Sequence, residues 1–226
     1  MNNRQRWTWL SGGLGGAILL INLFRILLVL PDEMNQGAIY RIIFFHVPAA
    51  FTAWLMFLLA VVSSAGYLAR KKPAWDALSA SAVEVGFVFC TINLVTGSIW
   101  ARIIWGIWWT WDARLTSMFV CWLLYGGYLV LRNAVEDPGQ RATVSSVLAI
   151  FAFADVPIVY MSIYWWRTQH PSPVLTTGGL APEMWPPLLL NFLALVLISI
   201  SLLLVKLDQE EAKREIEGLR RYVHAI

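Results

Sequence analysis

The chain has 226 residues, of which 58% are hydrophobic and only 14% are charged, and its mean hydropathy is +0.62. Soluble domains carry about 25% charged residues, so this composition excludes an ordinary soluble domain. The net charge of +3 is no argument for nucleic-acid binding, because membrane topology accounts for the basic residues.

Six apolar segments are long enough to cross the hydrocarbon core of a bilayer, which needs roughly 20 residues. Without water in that core, each segment must satisfy its backbone hydrogen bonds internally, so each is a helix. The predicted spans are Leu10–Leu30, Phe45–Ala69, Leu78–Ile99, Leu115–Leu131, Thr143–Tyr164 and Pro187–Val205. The sequence therefore predicts an all-α integral membrane protein, with residues 1–226 forming a single polytopic membrane domain.

The lysines and arginines predict the orientation, because cytoplasmic loops carry an excess of them. With the N-terminus inside, twelve of these residues lie on the inner side and four on the outer side. We therefore expect both termini in the cytoplasm and residues 206–226 as a charged, solvated helical tail. The outward segments are then Pro31–Phe44, Trp100–Arg114 and Trp165–Pro186.

Several residues inside the predicted spans are unusual for a bilayer. Arg25, Glu84 and Asp155 are costly there and should face a partner group; an internal ion pair or a shifted span boundary explains them as well as a transport pathway does. Gly12 and Gly16 have the small-xxx-small spacing of close helix contacts. Cys90 and Cys121 also lie in spans, which indicates neither a disulfide framework nor a zinc site.

Tryptophan is concentrated on the predicted outer side. Of thirteen tryptophans, eight lie in the outward segments, and five of these lie between Trp100 and Trp111. An interfacial aromatic belt is one explanation, but a belt populates both faces similarly. If the segment is helical, Trp105, Trp108, Trp109 and Asp112 share one face. That face would suit a large planar aromatic ligand, which stacks on indole rings.

Two of the three histidines also lie on the outer side. His46 stands at the mouth of the second span, two residues before a proline that a first helical turn tolerates. His170 precedes Pro171 and lies beyond the fifth span. A lone interfacial histidine is usually structural, but two beside a tryptophan surface suit the axial positions of a haem iron. His224 lies in the tail and cannot join them.

Four arginines are available on the same side for the propionates of a haem, which accept charge-assisted hydrogen bonds. For three of them, neutralising lipid headgroups is an equally good explanation, and Arg114 is the exception. Asp112 is close enough in sequence to pair with Arg114 and orient it. The four propionate candidates are Arg114, Arg41, Arg102 and Arg167.

The run WGIWWTWDARLT, residues 105–116, resembles the WWD motif of a haem-handling superfamily. Within it, the chain resembles the CcmC family, haem exporter protein C of cytochrome c maturation. The likeness extends to IYRIIFFHVPAAF around His46, to IYWWRTQHPSP around His170 and to the six-span layout with the N-terminus inside. It covers most of the chain except the tail.

The resemblance implies that His46 and His170 are the axial ligands of a non-covalent haem b. It also implies that a set of motif residues forms or supports the haem platform, namely Trp100, Trp105, Trp111, Asp112 and Arg114. The platform candidates are Trp100, Trp105, Trp108, Trp109, Trp111 and Asp112. The partners that it implies are the CcmA ATPase and CcmB permease of an ABC transporter complex, the small helper CcmD and the periplasmic haem chaperone CcmE.

We therefore expect a protein of the bacterial inner membrane that binds haem b on the periplasmic side and presents it to CcmE. The sequence shows no constellation of a nucleophile with a general base, so we expect a binding and transfer subunit rather than an enzyme. One alternative is a cytochrome c synthase, whose known relatives are longer. A second is a bis-histidine electron-transfer cytochrome, and a third is a plain permease subunit, which would give the clustered tryptophans no purpose.

Overall fold

The computed structural model describes residues 2–171 and 178–224, and it is helical almost throughout. Residues 172–177 of the third predicted outward segment and 225–226 of the predicted tail lie outside the described part. Within the described ranges we number seven α-helices: α1 (Asn3–Phe24, continued by a π turn, Arg25–Val29), α2 (Ile43–Arg70, preceded by a 3-10 turn, Ala38–Ile42), α3 (Pro73–Trp105), α4 (Ala113–Ala134), α5 (Pro138–Phe153), α6 (Asp155–Trp165) and α7 (Trp185–His224, preceded by a 3-10 turn, Pro182–Met184).

Six helical segments of the described chain are long and apolar enough to cross a membrane, which confirms the predicted number of spans. The fifth segment is built from α5 and α6, which meet at Ala154. Pro157 has no N–H group, so the carbonyl of Phe153 loses its helical partner, and a break at this point follows. The charged residue Asp155 lies buried at this break.

The helices begin and end beyond the predicted spans because polar residues cap them outside the apolar cores. Asp137 accepts a hydrogen bond from the N–H of Gln140 at the start of α5, where Pro138 takes the first helical position. Lys71 ends α2 in the left-handed conformation, with φ of 54°. Hydropathy detects the apolar middle of a helix, whereas such caps lie in its polar flanks.

Both chain termini lie at the same end of the bundle, which we call the terminal end. Arg4, near the start of α1, forms ion pairs of 2.6 and 2.7 Å with Asp208 and Glu211 of α7. The short connections between α2 and α3 and between α4 and α5 belong to this end as well. The opposite end, which we call the distal end, contains residues 30–37, 106–112 and 166–171.

The core lies between α2, α3, α4, α5 and α6. At its centre the rings of Phe57 and Tyr125 stack with centroids 3.5 Å apart, and both are completely buried. Gly86 makes room for this pair, because a Cβ atom there would lie 2.7 Å from Cε1 of Phe57. This packing joins α2 to both α3 and α4 and fixes how their distal ends are arranged.

Helix α1 lies at the edge of the bundle and packs mainly on α7. A Cβ at Gly12 would meet Oγ of Ser201 at 2.7 Å, and one at Gly15 would meet the carbonyl oxygen of Ala194 at 2.9 Å. Gly16 has no heavy atom within 4 Å of such a Cβ. The close helix contact that the small residues predict therefore exists, and it lies within this chain, between α1 and α7. It involves Gly12 and Gly15, not Gly12 and Gly16.

Two other charged residues in the spans have different surroundings. Glu84 forms a 2.6 Å ion pair with Lys206 of α7, so the internal-pair explanation holds for this residue. Arg25 opens the π turn at the distal end of α1 and is exposed. From there a long arginine side chain reaches the interfacial region.

Candidate functional site

His46 lies in the first turn of α2, and its ring faces α3. The Nδ1 atom is 3.1 Å from the carbonyl oxygen of Asn93 and 3.1 Å from Oγ1 of Thr96. Because a carbonyl oxygen can only accept, Nδ1 carries the proton in the bond to Asn93. In the neutral ring, Nε2 then has a free lone pair, the arrangement of a metal-binding histidine.

The side chain of Asn93 holds the same turn from a second direction. Its Nδ2 donates to the carbonyl oxygen of His46 over 3.0 Å. The same atom is 3.3 Å from both ring nitrogens of His46, and this equal distance places it over the ring rather than along the Nε2 lone pair. Gly97 and the edge-on ring of Trp100, at 5.8 Å between centroids, complete the α3 wall.

A buried amide pair supports the His46 turn from the other side. Pro48 has no N–H group to offer the carbonyl of Phe44, and Nδ2 of Asn191 in α7 donates to that oxygen over 2.7 Å. Asn22 of α1 donates to Oδ1 of Asn191 over 2.7 Å, and both amides are almost completely buried. The proline that shapes this turn is therefore compensated by two other helices.

His170 lies in the irregular segment after α6. Its backbone N–H donates to Oγ1 of Thr168 over 2.9 Å, and its Nδ1 donates to the carbonyl of Pro171 over 2.9 Å. Nε2 is again the unprotonated nitrogen of the neutral ring. Burial first, and then the charge of Arg114, lowers the pKa of His170 below its ordinary value, which favours the neutral, metal-binding form.

The carboxylate of Asp112 joins the segment before α4 to the segment that carries His170. Oδ1 accepts from the N–H of Arg114 at 2.9 Å, which caps α4, and from Oγ1 of Thr168 at 2.8 Å. Oδ2 accepts from the N–H of Gln169 at 2.8 Å. Asp112 thus bonds to the backbone of Arg114, whereas the sequence had suggested a pair with its guanidinium.

Arg114 extends between α4 and α6, where its guanidinium donates to the carbonyls of Val159 and Tyr160 over 3.2 Å each. The charge of Arg114 acts on both His46 and His170. The distal end therefore brings two imidazoles and one guanidinium into a single electrostatic neighbourhood. The two histidines are 124 residues apart in sequence and belong to different elements, α2 and the segment after α6.

The motif segment is not one helix, so the predicted shared helical face of Trp105, Trp108, Trp109 and Asp112 is wrong. Helix α3 ends at Trp105, with Gly106 in the left-handed conformation at φ of 78°, and α4 begins only after its N-cap, Asp112. Glycine adopts that conformation without the cost that a side chain brings, so the helix ends there.

The tryptophans consequently fall into separate groups. Trp100 lies beside His46 and donates from Nε1 to Oε1 of Gln36 over 2.9 Å. Trp108 and Trp109 line an apolar groove of about 360 Å³ between α3 and α4, together with Phe119 and other side chains. Trp111 is 75% exposed, and Trp105 is partly buried at the end of α3.

The other outward arginines differ in how far the protein already uses them. Arg41 donates to the carbonyls of Ile26 and Leu30 at 2.7 and 2.6 Å and pairs with Asp32 at 2.5 Å. It thereby caps the last carbonyls of the first span. Arg102 is exposed and bonds to the carbonyl of Gly106, and Arg167 is exposed.

Sequence reasoning missed three polar residues that set the histidine rings, namely Asn93, Thr96 and Thr168. Asn93 and Thr96 lie one helical turn apart inside a predicted apolar span, and this spacing is a signal that points to a shared face. Their partner, however, is given only by the packing of α3 on α2. Thr168 has no comparable signal, because it lies in an irregular segment.

The donor set fits an iron whose remaining ligands come from a porphyrin. Among the described residues, no group of three or more His, Cys, Asp or Glu side chains is arranged to hold a metal ion. Two imidazoles with free Nε2 atoms would serve as ligands to a haem iron, since neutral imidazole is a common haem ligand. Trp100, edge-on to the His46 ring, and the exposed Trp111 offer indole surfaces at this end of the bundle on which a flat aromatic ligand could stack.

These features define a helical, multi-pass membrane protein with a pair of imidazoles at one end of its bundle. The CcmC family model, described as "Heme exporter protein C", matches residues 1–221. The chain belongs to this family.

Three relatives that carry the name heme exporter protein C show how far the similarity extends. The protein of Bradyrhizobium diazoefficiens is 35% identical over 90% of this chain and 78% of its own length. That of Escherichia coli K12 is 37% identical over 78% of this chain and 72% of its own. That of Paracoccus denitrificans is 33% identical over 84% and 80% respectively.

Proposed function

We propose that this protein binds haem b non-covalently at the periplasmic face of the bacterial inner membrane, with His46 and His170 as axial ligands. The observation that carries the proposal is that the two imidazole rings have the same tautomer. Each donates from Nδ1 to a backbone carbonyl, Asn93 for one and Pro171 for the other, and so keeps Nε2 free.

The propionates need cationic or hydrogen-bonding partners, and Arg114 is the first candidate. It is the arginine whose charge acts on both His46 and His170. Arg102 and Arg167 are exposed and follow as outer contacts. Arg41 is the weakest candidate, because two carbonyls and Asp32 already occupy its guanidinium.

The tryptophans supply the rest of the proposed platform. Trp100 lies beside the His46 ring, and Trp111 is 75% exposed at the distal end, where a ligand edge or a partner can reach it. Trp105, Trp108 and Trp109 flank this region. An exposed ligand edge suits a protein that transfers its ligand to another protein, because a fully enclosed ligand offers no surface to an acceptor.

The biological role that we propose is the transfer of haem to the periplasmic chaperone CcmE during maturation of c-type cytochromes. Membership of the heme exporter protein C family supports this role, together with partners of the CcmA, CcmB and CcmD types. The excess of positive charge near the terminal end supports an orientation with that end in the cytoplasm. The protein then acts by positioning haem for the acceptor rather than by covalent catalysis.

Absorption spectroscopy of the detergent-purified, haem-loaded protein tests the ligand assignment. We expect a six-coordinate, low-spin spectrum that His46→Ala and His170→Ala each abolish, because each removes one axial nitrogen. Added imidazole should restore the low-spin spectrum in both variants. His224→Ala, a change in the tail, is the matched control and should leave the spectrum unchanged. Wild-type spectra in both site variants would refute the assignment.

A second experiment separates transfer from the competing functions. In cells that contain the partner proteins, transferred haem should remain on the chaperone CcmE during denaturing electrophoresis. The two histidine variants should lower the amount of haem on the chaperone. If this chain alone attaches haem to an apocytochrome, it is a synthase. If haem is reduced by quinol and never leaves the protein, it is an electron-transfer cytochrome.

A further inference from the structure

Both carboxylate oxygens of Asp112 accept hydrogen bonds from protein groups. Oδ1 is engaged by the N–H of Arg114 and by Oγ1 of Thr168, and Oδ2 is engaged by the N–H of Gln169. The guanidinium of Arg114 is directed instead to carbonyls of α6. The aspartate of the motif is therefore a structural junction between the start of α4 and the segment that carries His170.

The segment that it holds is the one that carries His170. Helix α6 ends at Trp165, and Trp166 is extended, with φ of −126° and ψ of 159°. Within the described part of the chain, Thr168 and Gln169 join residues 167–171 to the N-cap of α4 by their hydrogen bonds to Asp112. No helix of its own fixes this segment, so its position depends on that carboxylate.

The connection continues from Thr168 to the histidine itself. The hydroxyl of Thr168 donates to Asp112, and the same oxygen accepts the backbone N–H of His170 over 2.9 Å. The Nδ1 atom of His170 then bonds to the next carbonyl, that of Pro171. Hydrogen bonds thus run from Asp112 through Thr168 to the backbone N–H of His170, the residue whose imidazole is held in turn by the carbonyl of Pro171.

We infer that Asp112 is the positioning residue of His170: through Thr168 and Gln169 it holds the imidazole where Nε2 can reach the iron opposite His46. This inference rests on the proposed function and specifies what holds the second axial ligand of that site in place. A change that loosens Asp112 detaches the second axial ligand while His46 stays in place. Groups of this kind around metal ligands change affinity by about 10- to 100-fold when they are replaced.

Two substitutions test the connection from its two sides. Asp112→Asn keeps the helix cap, because asparagine caps as well as aspartate, but it presents an amide NH₂ to the N–H of Gln169. Thr168→Val removes the hydroxyl at nearly constant volume and leaves the whole motif intact. Thr168→Ser, which keeps the hydroxyl, is the matched control.

The measurements are the spectrum of the haem-loaded, detergent-purified protein and the rate of haem loss to apomyoglobin. We expect Asp112→Asn and Thr168→Val to convert low-spin haem to the five-coordinate form and to speed haem loss by about tenfold. Added imidazole should restore the low-spin spectrum, and Thr168→Ser should behave as the wild type. This pattern is one that a general loss of structure would not give.

Each other outcome has a definite meaning. A wild-type spectrum in either Asp112→Asn or Thr168→Val overturns the inference, and so does a folded variant that binds no haem even with imidazole. If Asp112→Asn fails to fold, Thr168→Val decides alone. A wild-type protein without a low-spin spectrum refutes the ligand assignment itself, whereas a low-spin wild type with unchanged variants refutes only the role of Asp112.

Discussion

Gly97 is the residue that lets the ring of His46 lie against α3. A Cβ atom at this position would be 2.9 Å from Cε1 of the imidazole, whose Nδ1 is already held by Asn93 and Thr96. For Gly97→Ala, we therefore expect the ring to tilt or the two helices to separate, at a cost of about 1–3 kcal/mol. Haem titration followed by absorbance should show weaker binding and a partial loss of the low-spin form.

Gly127→Ala is the control for that substitution. Gly127 also lies inside a helix, α4, but a Cβ atom there has no heavy atom within 4 Å. Alanine is about 1 kcal/mol more favourable than glycine in a helix interior, so this variant should bind haem as the wild type does. Equal affinity in the two alanine variants would show that Gly97 has no steric role.

The residues of the proposed site differ in how well the sequence reveals them. His46 and His170 stand out because histidine is rare in this chain and both flank the tryptophan segment. Asn93 lies on the face of α3 that packs against α2, but only that packing shows that its backbone carbonyl meets Nδ1 of His46. Residue type can be read along a chain, whereas a contact between two helices depends on their rotation about their own axes.

At the scale of elements, the six spans follow from hydropathy alone, because the bilayer imposes both length and helicity. The structure of the motif segment did not follow from the helical spacing of its tryptophans. Its tryptophans match a helical spacing by coincidence, since Gly106 ends α3 and Asp112 starts α4 within the same stretch. In a stretch of only a few residues, cap residues indicate where a helix begins or ends more reliably than the spacing of apolar residues does.

The buried amide pair of Asn22 and Asn191 offers a prediction about how α1, α2 and α7 are joined. Asn191→Leu leaves the carbonyl of Phe44, freed by Pro48, without its donor, and it removes one of the two acceptors of the Asn22 amide, whose other acceptor is the carbonyl of Pro187. A buried polar group left unsatisfied costs about 1–3 kcal/mol. We expect a lower thermal unfolding temperature in detergent, together with weaker haem binding because the His46 turn loses its support.

Asn133→Leu makes the same chemical change at an exposed position near the end of α4. Because no buried group depends on it, its unfolding temperature should stay close to that of the wild type. If Asn191→Leu were as stable as Asn133→Leu, the amide pair would not be what holds the three helices together.

At the scale of the whole molecule, the tail is not the freely solvated extension that the sequence suggested. Helix α7 continues without a break from the distal end into residues 206–224, and several of its charged side chains pair with the terminal ends of other helices. Arg141 of α5 bonds to Glu217 over 3.0 Å, and Arg4 of α1 bonds to Glu211. The partners are separated by up to 207 residues, so only the fold reveals them.

The most buried of these pairings involves Asp76 at the start of α3. Its carboxylate accepts from Arg132 of α4 at 2.6 and 3.2 Å and from Arg214 of α7 at 2.7 Å. The side chains of Asp76 and Arg132 are only 9% and 10% exposed. One carboxylate therefore joins three helices at the terminal end, at the end of the bundle opposite the proposed haem site.

Asp76→Ala should destabilise the protein by about 3 kcal/mol or more, because it leaves a buried arginine without its main partner. Glu210, 3.7 Å from Arg132, offsets part of that loss, so we expect a value near the lower end of the usual range. Asp208→Ala breaks the more exposed pair with Arg4 and should cost no more than about 1 kcal/mol. Denaturant-induced unfolding in detergent micelles measures both, and equal free energies of unfolding for the two variants would show that burial does not set the strength of this junction.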